Sequence, residues 1–331
     1  MDERRAAILR AVVEGYIETA QPVGSAAVQR ETTVNVSSAT IRNEMVALEQ
    51  DGYLIQPHTS AGRIPTDKGY RHFVDSFIPA PGPLDAAGRQ QVSTFFAKAH
   101  GALEDMLQST TRLLSNLTDY AAVVVGPSRE AAKVRSIQLV GLGPRTAVVV
   151  AVLDNGAVEK ANIELPDDIG DERLAAATSH LSRDVVGSTF AAEATASDDA
   201  QLDDLCRAAL TAMRAAHSAV PSPVFVGGAS RVSAAFDAVE TVRSVLTTLE
   251  QQYVVVGLLR DVLDRGMSVS IGAEHGLEAL AECSIVVYPY EVEGQHAGTI
   301  GVLGPTRMHY PEALAAVAVV SKRLGRHLTE G

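Results

Sequence analysis

A chain of 331 residues is too long for one small core, so two or three domains are expected. Apolar residues make up 46% and charged residues 21%, as in ordinary globular proteins, and no uninterrupted apolar run is long enough to span a bilayer. A net charge of −12 excludes a protein that coats nucleic acid by bulk attraction, but leaves room for a local cationic site.

The first residues, MDERRAAILR, carry charge and then helical periodicity, which is not the pattern of a secretory leader. Cys206 and Cys283 are too far apart for metal spacing and read as reduced thiols of a cytoplasmic protein. Leu9, Val12, Val13, Tyr16 and Ile17 line one face of a first helix. Pro22 and Gly24 break it, and Ser25 can cap a short second helix through about Gln29. Asn35 stands where a turn is needed.

The stretch SSATIRNEMVALEQDGYL, Ser37 to Leu54, then has the marks of a capped helix. Ser37 is placed as N-cap, Val36 and Ile41 as the hydrophobic staple, and Gly52 as the stop. Ile41, Met45 and Leu48 form a buried stripe, while Ala39, Asn43, Val46 and Gln50 fall opposite, flanked by Thr40 and Arg42. Helix, short helix, turn and capped helix is the order of a helix-turn-helix unit, whose second helix needs a slim N-terminal end to enter the major groove. Arg42 can donate two bonds to guanine, Asn43 can pair with adenine, and Ala39 or the Thr40 methyl can meet a thymine methyl. With Val46 these make the expected base-edge set. Ser37 and Ser38 suit phosphate oxygens at a helix start. A surface helix with a solvated face would share this pattern, and the segment that follows favours the groove reading.

Tyr53-Leu54-Ile55 and Arg63-Ile64 read as the strands of a hairpin around His58, Thr59, Ser60, Ala61 and Gly62, with Pro65 stopping the return strand. A hairpin directly after such a helix is a wing. Arg63, Lys68 and Arg71 add three positive charges against Asp67 alone, so with His58, Thr59 and Ser60 they are the expected wing and phosphate contacts. Tyr70, Phe73, Val74 and Phe77 follow at helical spacing. Residues 1–80 nevertheless hold eight Lys or Arg against ten Asp or Glu, so binding has to be local and dimeric.

VGSAAV, VSSATIRNEMVALEQDGYL and QPHTSAGRIPTDKGYRHFVD closely resemble the N-terminal domain of the HrcA family of bacterial heat-inducible transcription repressors, and GTIGVLGPTRMHY (Gly298 to Tyr310) continues the likeness near the C-terminus. The resemblance implies a homodimeric repressor of chaperone genes bound to double-stranded inverted-repeat operator DNA. It also implies that the GroEL chaperonin helps the repressor reach its DNA-binding form, and that the body is a GAF-like domain with an inserted dimerising segment. Asn35, where a glycine is common, and the acidity of the first domain are departures.

Downstream, Phe77-IPAPGPL-Asp85 reads as a linker, and Leu103, Met106, Leu107, Thr110, Leu113, Leu114 and Leu117 form a helical stripe that fits a connecting helix, half of a dimer seam or ordinary core packing. Strands are expected at Ala121–Val125, Ser136–Leu142, Thr146–Leu153 and Ala157–Leu165, with a turn at Asp154-Asn155-Gly156, and again at Ser268–Gly272, Cys283–Val292 and Ala297–Gly304. Helices are expected at Asp171–Val186, Gln201–Ala219 and Ala234–Gln251, with a short strand at Val224–Gly228. The expected fold class is therefore α+β. A winged helix-turn-helix domain (1–80) and a linker with connecting helix (81–120) precede a GAF-like α/β sheet domain in two pieces (121–168 and 255–331). An inserted, mostly helical dimerisation segment (169–254) interrupts that sheet domain. No P-loop, GxGxxG, metal spacing or catalytic constellation is present, so neither enzyme, cofactor nor metal is expected, and no membrane partner. The rival reading is a metabolite-responsive transcription regulator with the GAF-like domain as its sensor.

Overall fold

The computed structural model describes residues 1–331 except 32–36, 59–60, 79, 99–101, 128–131, 155, 166–168, 220–222, 237, 265–267 and 331. The chain begins with α1 (Glu3–Thr19), α2 (Ser25–Glu31) and α3 (Ser38–Gln50), then the antiparallel pair β1 (Leu54–Ile55) and β2 (Ile64–Pro65), then α4 (Asp67–Phe77). Pro65, expected to stop the return strand, instead closes it from within, paired with Leu54. The apolar stripes read from the sequence meet here. Leu9, Val12 and Val13 of α1 pack with Ile41, Met45 and Leu48 of α3 and with Tyr70 and Phe73 of α4, all essentially buried.

Segment 81–120, expected as a linker with one helix, holds two: α5 (Ala86–Lys98) and α6 (Leu103–Thr118). Both join the core that begins in the first helices, through Leu84, Val92, Phe96, Leu107 and Leu114. The prolines mark only its first few residues.

The body is a five-stranded antiparallel sheet in the order β7–β3–β10–β9–β8, formed by Val224–Gly227, Ala121–Val125, Gln295–Pro305, Cys283–Val292 and Val269–Ile271. One face packs on α6 and on α12 (Tyr310–Glu330), through Ala122, Val124, Val286, Ile300 and Val302. The other carries Val123, Ile285, Val287 and Leu303 against α10 (Val239–Glu250) and α11 (Gln252–Asp264). Both faces are covered, so β3 is buried at every position. The short α9 (Ala229–Ala235) and α11 were not anticipated.

The largest departure from expectation concerns β4 (Val134–Gly143), β5 (Thr146–Leu153) and β6 (Val158–Glu164). They were placed in the same sheet as β3, but form a separate three-stranded antiparallel sheet, β4–β5–β6. Its buried side packs on α7 (Asp171–Val185) and α8 (Ala200–Ala219), with a core of its own that includes Val149, Ala151, Leu174, Leu181 and Met213. The unit inserted between β3 and β7 thus starts near residue 132, not 169, and combines a three-stranded sheet with two helices. Conversely, β7 and α10, expected inside the insertion, belong to the main sheet and its second face. The physical reason is coverage. Only one face of β4–β5–β6 is packed, so β6 alternates exposed and buried along its whole length, unlike β3.

Candidate nucleic-acid interface

Helix α3 begins as expected. Ser37 caps it, its hydroxyl accepting from the Thr40 amide at 3.2 Å and lying 3.0 Å from the Thr40 hydroxyl. The Ser38 hydroxyl is 3.0 Å from that of Ser25, which ties the starts of α3 and α2 together. Gly52, at φ +78°, ends the helix, and the Tyr53 amide reaches back to the Leu48 carbonyl at 2.9 Å. Asn35 and Val36, assigned to the turn and the staple, lie outside the described residues, as does Asn155 of the later turn.

With Ile41, Met45 and Leu48 turned inward, Ala39, Arg42, Asn43 and Val46 stand exposed, and Thr40 is half-buried beside them. Among the described residues, neither Arg42 nor Asn43 has a hydrogen-bond or ion-pair partner. Glu44, on the inner side, was not singled out from the sequence. It is buried and accepts from Arg4 at 2.6 Å and Arg5 at 2.8 Å, so α1 is clamped to α3 and part of the acidic count is consumed internally. The hydrogen bond to Glu44, above all, raises the Arg5 pKa further.

The cations that follow α3 are placed differently from expectation. Arg63 is held against Glu49 of α3, with two nitrogens each 2.9 Å from Oε2, and its side chain is only 13% exposed. Its backbone exchanges two 2.9 Å hydrogen bonds with Val23, which fastens the return strand to the segment before α2. Lys68 donates to the Asp51 carbonyl at 2.8 Å and lies over the Tyr53 ring. Arg71 faces the body, not solvent. It binds Glu274 through two nitrogens and donates to the Val269 carbonyl at 2.8 Å. Arg71 also meets Asp75 one turn along its own helix at 3.2 Å, but the other partners lie 14 to 203 residues away, so these three charges were counted as free. His58 is exposed near the hairpin tip, and Thr59 and Ser60 lie outside the described residues.

One cation was missed. Arg30, at the end of α2, is exposed, donates only to the Ala26 carbonyl of its own helix, and has no carboxylate partner among the described residues. A count of charges on α2 would have found it. Elsewhere, burial pushes the Cys206 and Cys283 thiols up to about 11 and about 12, which keeps both protonated. Among the described residues, no group of three or more His, Cys, Asp or Glu is placed to hold a metal ion, and no helix is long and apolar enough to cross a membrane.

Residues 104–314 match the family model described as the HrcA protein C-terminal domain. The heat-inducible transcription repressor HrcA of Arthrobacter sp. (strain FB24) is 40% identical, with 99% of each chain covered. The chain belongs to the HrcA family. Repressors of the same name from Streptomyces avermitilis and Nocardia farcinica are 37% and 38% identical, over 100% and 99% of this chain and 99% and 97% of theirs. The likeness therefore runs through α3 and the hairpin as well as the body. A hypothetical protein with a crystal structure at 2.2 Å resolution superimposes with a TM-score of 0.67 at 22% identity, covering 100% of this chain and 99% of that one. It shares the mixed α and β fold from end to end.

Proposed function

We propose that the chain is a sequence-specific DNA-binding repressor of heat-shock genes, acting as a homodimer on an inverted-repeat operator. The observation that carries this is the outward row of α3. Ala39, Arg42, Asn43 and Val46 are exposed and, among the described residues, unpartnered on a helix whose opposite side is buried. In this reading residues 1–80 are a winged helix, and the N-terminal half of α3 enters the major groove. The positioning contacts come from the free amides at the start of α3, from Ser37, Ser38 and the hairpin tip around His58, Thr59 and Ser60, and from Arg30. Lys68 adds a charge at the rim, while Arg63 and Arg71 shape the domain without touching DNA.

The body is read as GAF-like, and the second copy is assigned to the outer face of β4–β5–β6. There Val148, Val150 and Val152 of β5 run between exposed Val140 of β4 and Val158 of β6, on the side away from α7 and α8. An isologous contact of such a face gives the two-fold symmetry an inverted repeat requires. The GroEL chaperonin, implied by the family, is proposed to maintain the binding-competent dimer, and its withdrawal under heat stress to release the operator.

Footprinting on DNA upstream of the chaperonin genes of the source organism, with and without GroEL, tests the reading. Protection of an inverted repeat by the wild type and its loss in Arg42→Ala is the expected result. Protection that Arg42→Ala and Asn43→Ala both leave intact would remove α3 from the groove.

A further inference from the structure

The face of the main sheet that meets α10 and α11 is not completely filled. A cavity of about 510 Å3 opens between α11 and the neighbouring ends of β3, β10 and β9. Its floor is a row of laterally paired residues. Thr299 of β10 sits directly across from Val125 on one side and Pro289 on the other. Thr299 is only 6% exposed and lines this cavity, and its hydroxyl has no hydrogen-bond partner among the described residues. Its hydroxyl opens onto the cavity and is free to bond a ligand there. The register of β10 shifts between His296 and Gly298 at the mouth, an irregularity that recurs beside binding sites.

The wall is α11. Leu259 faces the cavity, and Arg260 and Asp264 stand at its rim, both exposed. At i and i+4 those two are spaced to pair with each other, yet they form no ion pair, and neither has another partner among the described residues. One open guanidinium and one open carboxylate, a helical turn apart over an apolar floor, disfavour a purely anionic or purely cationic ligand. They match a small zwitterion.

We propose that this cavity binds an apolar α-amino acid. Its carboxylate is taken by Arg260 and by the Thr299 hydroxyl as donor, its ammonium by Asp264, and its side chain lies on Val125, Leu259 and Pro289. Such a site gives a DNA-binding chain a small-molecule input distinct from heat.

Calorimetric titration of the full chain in the absence of DNA tests this without relying on the repressor reading. L-Leucine and L-phenylalanine at millimolar concentration are expected to give saturable binding. Isocaproate, which lacks the ammonium, and isoamylamine, which lacks the carboxylate, are expected to bind at least about tenfold more weakly, as losing one charged contact implies. Arg260→Gln, at an exposed position, and Thr299→Val, of equal size, should each weaken the amino acids by about tenfold while leaving the unliganded melting temperature in place. Should Thr299→Val disturb folding, Arg260→Gln alone decides. The proposal is overturned if neither amino acid binds, if the single-charge analogues bind equally well, or if Arg260→Gln binds like the wild type.

Discussion

Arg63 and Arg42 carry the same charge in the same domain, but their surroundings give them different work. Arg63 is mostly covered and satisfies Glu49, a carboxylate on the third helix. Removing the guanidinium leaves that carboxylate, one third of which reaches solvent, without its partner, so Arg63→Ala should cost about 1 kcal/mol of stability. Urea denaturation will show this, and the salt dependence of operator binding should keep its slope, because no phosphate contact is lost. Arg42 is the converse, exposed and without a partner among the described residues. Arg42→Ala should leave the denaturation midpoint in place yet cost about 1–3 kcal/mol of operator affinity and relax preference at one base pair. Competition binding against a panel of single-base operator variants reads both effects, with Asn43→Ala relaxing a different position. The exposed row of α3 was legible in the sequence, because periodicity alone dictates which residues share a face. The i,i+4 pair of Arg71 with Asp75 was also legible, but the contacts of Arg63 with Glu49, Lys68 with the Asp51 carbonyl and Arg71 with Glu274 were not, because they depend on tertiary neighbours that local spacing does not encode.

Helix α4 is the element through which the N-terminal domain meets the body. Arg71 grips Glu274 in the 3₁₀ turn Gly272–His275, and Asp67 accepts from the Ala273 amide of the same turn at 3.1 Å. Beside this junction Tyr70 faces Tyr310 at 6.0 Å, and the hydroxyls of Tyr70 and Ser270 are buried without partners among the described residues. Each orphan costs about 1–3 kcal/mol, so this is a contact that local perturbation can open. His275 supplies one such perturbation. It is buried, with Nε2 2.9 Å from the Leu280 carbonyl and Nδ1 accepting from the Leu277 amide, an arrangement that fits the neutral ring. Burial lowers its pKa below the usual 6.5, outweighing the carbonyls of Leu280 and Cys283 and the charges of Asp67 and Glu274, which act to raise it. The unfolded chain therefore takes up the proton first. This contribution to stability is complete above about pH 6.5 and declines as the pH falls through the window towards the folded pKa. Melting temperatures measured from about pH 7.5 down to about pH 5.5 should fall less in His275→Gln than in the wild type. Parallel profiles would show that His275 is not the titrating group.

At the scale of the whole molecule, every expected strand exists, but their grouping into sheets was not legible. TAVVVAVL is as apolar as the two-face-covered strands of the main sheet, although the outer residues of β5 are only half-buried. The alternation in β6 was the available sign of a sheet packed on one side. What settles the division is that β3 and β7 pair directly, with Val125 opposite Val224, so the inserted unit leaves and re-enters the main sheet at adjacent points. Its core draws on residues from Ala132 to Met213 and none from the main sheet. It follows that replacing Pro127 to Ser222 by a glycine-rich loop of about four residues should convert β3 and β7 into a simple hairpin and leave the body folded. If the outer face of β4–β5–β6 holds the second copy, the shortened chain should be monomeric by light scattering. Its operator affinity should fall by about 10²–10⁴, the contribution of linking two half-site contacts. Val150→Glu, which places a charge in the middle of that face without touching the core side of β5, should reproduce the monomer in the full-length chain. A shortened chain that folds but remains dimeric would move the interface onto the main sheet domain. One that fails to fold would show that the inserted unit supports the body in a way its separate core does not suggest.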